Sequence, residues 1–184
     1  MIAPWDISYD ETALIVSGER FPCERPRLAF ARKLRELFGD KAIHSYPIGT
    51  QGFGFERDEH GVPVRIPHLG EVRLGLDVEI GACTVIARGT IGDTIIGDHV
   101  KLDDHVFVAH NVEIGESTLV VAGAVICGSV KIGKRCWIGA NSTIKEHVKI
   151  GDDAFVGMGA VVLDDVAENA VVVGNPARFL RNNL

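Results

Sequence analysis

One of the seven histidines stands where its neighbour in space can be read from spacing alone. Gly128 follows His110 by 18 residues, so a backbone that closes one coil every 18 residues stacks that imidazole on a position without a side chain, roughly 5 Å away. Imidazole titrates near neutrality and can take a proton, while a backbone N–H left uncovered can hold a developing oxyanion. The remaining histidines are plainer. His44, His60 and His99 lie in polar, turn-like contexts, and His105 reads as facing solvent. Cys23, Cys83, Cys127 and Cys136 form no C-x-x-C pair, which removes a zinc knuckle and a dithiol motif and leaves mostly packed, reduced thiols. Cys127 adjoins Gly128, but a covalent intermediate on its sulfur is not needed for the chemistry that His110 and Gly128 suggest.

The coil is itself a reading of the sequence. Counting in sixes from Ile96 gives Leu102, Val108, Ile114, Val120, Ile126, Ile132, Ile138, Ile144, Ile150, Val156 and Val162, every one aliphatic. Gly97, Gly115, Gly133, Gly139, Gly151 and Gly157 follow directly after six of them, and four places on the residue is small or β-branched, from Val100 to Val166. A period of six matches neither the 3.6 of a helix nor the two-residue alternation of a long strand. It fits straight sides and sharp corners: the aliphatic points inward, the small residue fills the inside of a corner, and Gly or Asp serves the turn. Three hexads close a triangular coil, and coils stack as parallel strands. The period carries no handedness. Leu74, Ile80 and Ile86 keep the same spacing in another frame, because about four residues are inserted around Arg88 to Thr94 as either a surface loop or a wall of a site.

Upstream, Gly52-Phe53-Gly54-Phe55-Glu56 and Val62-Pro63-Val64-Arg65-Ile66 flank a polar tip and predict a hairpin. Pro26 opens a predicted helix with Leu28, Ala31, Leu34, Leu37 and Phe38 on one face, stopped at Gly39, and residues 7–22 supply a strand or two. The expected organisation is a short α/β segment over 1–45, a hairpin excursion over 46–70, a β-helix over 71–168 and a tail over 169–184. Composition agrees with an all-β array: 46% of the 184 residues are hydrophobic but only 7% aromatic, with 21 glycines, so the core is aliphatic and much interrupted. A net charge of -6 argues against nucleic acid and against a polybasic membrane patch. No apolar run approaches the roughly 18 residues of a membrane span, and Met1-Ile2-Ala3-Pro4-Trp5-Asp6 lacks a signal-peptide layout, so the expected compartment is the cytoplasm.

The array resembles the left-handed parallel β-helix of hexapeptide-repeat acyltransferases. It is most similar to the glucosamine N-acyltransferases of lipid A biosynthesis, LpxD, through Pro26–Arg32, Gly52-Phe53-Gly54-Phe55, Ile66-Pro67-His68-Leu69-Gly70, Arg88-Gly89 and above all the run from Val100 to Val112. Two departures stand out: only about 45 residues replace the family's nucleotide-binding domain, and the ending Gly174-Asn175-Pro176-Ala177 resembles acetyl-CoA-dependent acetyltransferases rather than carrier-protein-binding helices. The resemblance implies a homotrimer with sites between neighbouring prisms, no tightly bound cofactor, and a nucleotide-linked amino sugar as acceptor. The donor it implies is acetyl-CoA, with an acyl carrier protein thioester as the alternative.

The resemblance further implies His110 as catalytic base, Asp103 as the carboxylate that orients it and Gly128 as the oxyanion amide. His147, 37 residues after His110, matches a second family histidine near substrate; Phe53 and Phe55 are expected on the substrate side, and Gly128, Glu146, Asn175 and Arg178 on the donor side. A γ-carbonic-anhydrase-like zinc enzyme shares the implied fold, and His105 and His110 with His68 echo its ligands. The insertion takes His68 out of register, so no metal is expected. A non-catalytic scaffold would explain the repeat but not a histidine stacked on a glycine.

Overall fold

A computed structural model describes residues 7–9, 13–16, 19–22 and 48–183. The chain divides into two compact units, Met1–Lys41 and Ala42–Leu184. The first holds a three-stranded antiparallel sheet of Ile7–Tyr9, Ala13–Val16 and Glu19–Pro22. Residues 7–22, read as a strand or two, thus carry three short strands. The predicted helix from Pro26 to Phe38 lies outside the described residues.

The second unit is a parallel β-helix whose short strands fall into three sheets, visited in turn as the chain advances. Thr94–Ile96 lies on the first face, Lys101–Leu102 on the second and Phe107–Val108 on the third, and Glu113–Ile114 returns to the first. Partners are 18 residues apart wherever the hexads are unbroken, as in Val108 with Ile126 and Ile126 with Ile144. Below the insertion the offset becomes 22 on all three faces: Leu74 pairs with Ile96, Ile80 with Leu102 and Ile86 with Val108. The four extra residues are therefore absorbed at one corner, and the coil before them stays in register with the coil after.

The period-six aliphatics form the core as three inward stacks. Ile96, Ile114, Ile132 and Ile150 line the first face, Leu102, Val120, Ile138 and Val156 the second, and Val108, Ile126, Ile144 and Val162 the third, all buried. Corner interiors take the small residues, and the buried hydroxyls among them tie coils together: Thr118 Oγ1 donates to the Gly133 carbonyl and accepts from the Cys136 N–H. The repeated glycine after the aliphatic has a different cause from the one expected. It does not adopt positive φ. A Cβ on Gly115 would lie 2.5 Å from the Gly133 backbone, and one on Gly139 would lie 2.6 Å from the Met158 nitrogen, so these glycines admit the next coil. The left-handed residue comes two places later. Twelve described non-glycine residues hold φ between 54 and 65°, including Asp77, His105, Asn111 and His147, at roughly 1–2 kcal/mol each that coil stacking must offset.

Two edges of the array differ from the expected boundaries. Ile48–Thr50 joins the third face beside Val85–Ala87, inside the stretch read as an excursion. At the far end Ala170–Val173 extends the second face, and Arg178–Asn182 folds back on it antiparallel. The hairpin itself forms between Phe55–Arg57 and Pro63–Arg65, with Asp58 Oδ1 accepting from the His60 and Val62 amides at its tip. Cys136 is buried, whereas Cys83 is exposed and departs from the packed-thiol expectation.

Core stacking makes a direct expectation. Ile138→Ala, at a site with no solvent exposure, lowers stability by about 2–5 kcal/mol, read as a lower urea midpoint, while Glu59→Ala at the exposed hairpin tip stays within about 0.5 kcal/mol. Equal midpoints for the two variants would contradict a core built on these stacks.

Candidate active site

The site is built at the corner between the third and first faces, where Ala109 to Val112, Cys127 to Val130 and Lys145 to Val148 lie on successive coils. Strand register on both sides places His110 beside Gly128, and Gly128 beside Glu146. The half-buried His110 ring lies against Gly128: a Cβ there would be 2.8 Å from its Cε1 and 2.9 Å from its Nε2. Backbone bonds fix the stack, since Ser129 N–H donates to the His110 carbonyl at 2.9 Å and His147 N–H to the Gly128 carbonyl at 3.0 Å. The Gly128 N–H has no acceptor among the described residues. Four equivalent corner amides are capped by carboxylates, Leu76 by Asp98, Ala82 by Asp104, Ala122 by Asp103 and Lys134 by Asp152, while those of Glu116, Ala140 and Glu146 are as bare as that of Gly128 among the described residues. What sets Gly128 apart is the His110 ring seated where a side chain would be.

The inserted loop walls this corner. Thr90 donates to Asn111 Oδ1 through its amide at 3.0 Å and its hydroxyl at 2.9 Å, and Asn111 Nδ2 donates to the Gly92 carbonyl at 2.9 Å. Leu69 N–H donates to the Thr90 carbonyl, and Arg88 Nε to the Gly49 carbonyl, which ties the loop to the neighbouring segments. His110 Nδ1 lies 3.1 Å from the same Asn111 Oδ1. Sequence reading overlooked Asn111 and Thr90. The signal was present only as an insertion whose ends meet an Asn one coil later.

His68 is the second omission. Its ring packs edge to face on His110 with centroids 5.0 Å apart, so the inference that the insertion removes His68 from register is corrected. The loop takes up the extra residues and leaves His68 at the corner. It is 1% exposed, with Nδ1 3.0 Å from the Ile66 carbonyl and Nε2 without a partner. Gly52 and Gly54 are glycines for this reason: a Cβ would come within 2.5 Å of His68 Nε2 and 2.8 Å of His68 Cε1 respectively. The segment thereby lies flat on the imidazoles and turns its phenylalanines outward. Phe53 is 85% exposed, 5.0 Å from Phe55, and the Arg65 guanidinium lies 4.5 Å from the Phe55 ring centre.

Other expected site residues are distributed more widely. Asp103 stands at the corner between the second and third faces, where its carboxylate accepts from the Asp104 and Ala122 amides rather than from His110. His105 is exposed at that same corner, away from His110 and His68, and no three metal-ligating side chains cluster among the described residues. His147 and Glu146 are exposed one coil beyond Gly128. The Gly174–Ala177 turn, with Asn175 and Arg178 exposed, packs on the last strand of the third face through Ala177 N–H to the Val161 carbonyl, about 10–15 Å along the axis from Gly128. Burial, and then the Glu146 charge, push the Cys127 thiol above its usual range. That keeps it protonated and makes it a poor nucleophile.

Residues 93–128 and 129–164 match the family described as bacterial transferase hexapeptide (six repeats). The UDP-3-O-acylglucosamine N-acyltransferase of Bordetella pertussis is 53% identical over 96 residues, which are 50% of this chain and 26% of that protein. The chain thus spans about a quarter of the length of the curated relatives it matches. Among solved structures, PerB from Caulobacter crescentus in complex with CoA and GDP-perosamine aligns at TM-score 0.59 and 25% identity, over 85% of this chain and 66% of PerB. LpxA from Acinetobacter baumannii aligns at TM-score 0.66 and 23% identity, over 74% of this chain and 51% of LpxA, and shares the fold. The array is a left-handed parallel β-helix of hexapeptide repeats, and its homologues and structural neighbours include acyltransferases.

The perturbed thiol is directly measurable. Iodoacetamide alkylation of Cys127 is expected to rise only at pH above the usual thiol range, and Glu146→Gln, by removing the negative charge that disfavours the thiolate, is expected to speed it at fixed pH. Slower alkylation in Glu146→Gln would contradict the assigned cause.

Proposed function

We propose that this hexapeptide-repeat chain is an N-acyltransferase acting on the amine of a nucleotide-linked amino sugar, in lipopolysaccharide or surface polysaccharide synthesis. One observation carries the reading: the His110 imidazole lies against Gly128, whose N–H has no acceptor among the described residues. In the proposed reaction the acceptor amine attacks the thioester carbonyl. A C–N bond forms, and the carbonyl oxygen becomes an oxyanion held by the Gly128 N–H. His110 Nε2 takes the amine proton, the C–S bond breaks, and the proton passes from the imidazolium to the departing thiolate. Transfer is direct, within a ternary complex.

Acetyl-CoA is the favoured donor. The Gly174-Asn175-Pro176-Ala177 turn resembles the ending of acetyl-CoA-dependent acetyltransferases, and PerB, aligned over 85% of this chain, holds CoA with a nucleotide-linked amino sugar. Glu146, Asn175 and Arg178 are assigned to the donor, and Phe53, Phe55 and His147 to the acceptor, with Glu146 and His147 adjacent one coil beyond Gly128. The runner-up, an acyl carrier protein thioester, is supported by the likeness to UDP-3-O-acylglucosamine N-acyltransferases.

The working form is proposed to be a homotrimer. The second face carries an outward ladder of Leu119, Trp137 and Phe155, with the last two rings stacked 5.9 Å apart, and Phe107 and Val125 continue apolar character onto the third. The first face presents Glu113, Lys131 and Lys149 instead. Two apolar faces per prism suit packing around a three-fold axis, and any role of Asp103 toward an imidazole then belongs to a neighbouring copy. No described helix is long and apolar enough to cross a membrane, and the supply of acyl-CoA and nucleotide sugars makes the cytoplasm the proposed compartment.

Purified protein mixed with acetyl-CoA and a panel of UDP-, dTDP- and GDP-linked amino sugars is expected to release thiol with at least one acceptor. Silence across the panel with turnover of carrier-protein thioesters would promote the runner-up. In the active assay His110→Ala and Gly128→Ala are each expected to lose at least about a hundredfold in turnover, the scale of one base or one oxyanion donor. Folded, trimeric His110→Ala with near-wild-type turnover would remove the assignment.

A further inference from the structure

We infer that Asn111 is a positioning residue that holds His110 in the Nδ1–H tautomer and so leaves the Nε2 lone pair free above Gly128. The inference rests on the proposed acyl transfer only for its kinetic half. Its structural half follows from donor and acceptor accounting. The Thr90 amide can only donate, and it points at Asn111 Oδ1 from 3.0 Å, while the Gly92 carbonyl can only accept and meets Asn111 Nδ2 at 2.9 Å. Turning the Asn111 amide over would set its NH₂ against the Thr90 N–H and its oxygen against the Gly92 carbonyl. Both contacts would then be repulsive, so the orientation is locked by backbone groups of the inserted loop.

With Oδ1 fixed as the atom facing the ring, the group 3.1 Å from it, His110 Nδ1, must carry the hydrogen. Neutral imidazole has one N–H, so Nε2 holds the lone pair, and Nε2 is the nitrogen 2.9 Å from where a Gly128 Cβ would be. A ring in the opposite tautomer would present an N–H toward the reacting amine and could not take its proton. The four inserted residues that break the hexad frame thus acquire a purpose. Their Thr90 and Gly92 lock Asn111, and Asn111 selects the protonation state of the base. This role was expected of the Asp103 carboxylate, which within the chain is engaged by the Asp104 and Ala122 amides.

Two variants separate positioning from support. Asn111→Gly deletes the side chain at a position whose φ of 59° glycine tolerates, and Asn111→Asp keeps an oxygen acceptor. In ¹⁵N-histidine spectra of the full chain above the imidazole titration range, wild-type His110 is expected to show a protonated Nδ1 and an unprotonated Nε2. The Gly variant is expected to shift toward the Nε2–H form, and the Asp variant to retain Nδ1–H. In turnover assays the Gly variant is expected to lose about tenfold or more in kcat with KM within about twofold, and the Asp variant to recover most of it. A wild-type His110 in the Nε2–H form overturns the inference without any variant. A folded Gly variant with an unchanged tautomer, or with a changed tautomer and unchanged kcat, also overturns it. The tautomer is read without substrate, so failure of the acyl-transfer reading leaves a separate signature.

Discussion

Coil-on-coil stacking at one strand spacing is the constraint from which the rest of the molecule follows. Every inward aliphatic meets its counterpart one coil away, glycines such as Gly115 and Gly139 make room for the next backbone, and a displacement of one residue would turn a core position outward. Such a solenoid is quasi-one-dimensional: each coil is supported by its two neighbours, so local features can be inserted at a corner without disturbing the faces. The 22-residue offset around the insertion is that tolerance in use, because register resumes on all three faces at once.

The proposed site lies where the regular solution is suspended. At four corners an Asp from the adjacent coil caps the exposed amide, and the left-handed residue ranges from Asp77 and Asn141 to Cys83 and Arg135. At the corner of His110 the capping carboxylate is missing, Gly128 has no side chain, and the loop brings Thr90 and Gly92 onto Asn111. An imidazole held in a fixed orientation and seated on a residue without a side chain is a feature a purely structural coil does not require. Gly52 and Gly54 add a third layer by lying flat on His68, which keeps that ring buried against His110 and leaves Phe53 in solvent.

Much of this was readable from residues alone, and the omissions have physical causes. The period of six located the core, and arithmetic on 18 residues paired His110 with Gly128, because coil register is a property of the main chain. Arithmetic failed for His68, since the destination of four inserted residues depends on how the loop folds. Assigning the turn to Gly or Asp overlooked the other residues that take positive φ, such as Asn111 and His147, because stacking energy overrides intrinsic preference there. Asn111 escaped attention for a further reason. Its partners are backbone groups of Thr90 and Gly92, and backbone groups leave no residue-type signature.

The central claim is that Gly128 and His110 together face the reacting carbonyl of a bound thioester. The most direct measurement is an amide NMR titration with a CoA analogue bearing a ketone in place of the thioester, which binds without reacting. The expected result is that the Gly128 amide is among the most shifted resonances and loses solvent exchange on saturation, with the His110 ring nitrogens perturbed in parallel. Saturable binding of the analogue that leaves Gly128 and His110 unchanged would contradict the claim.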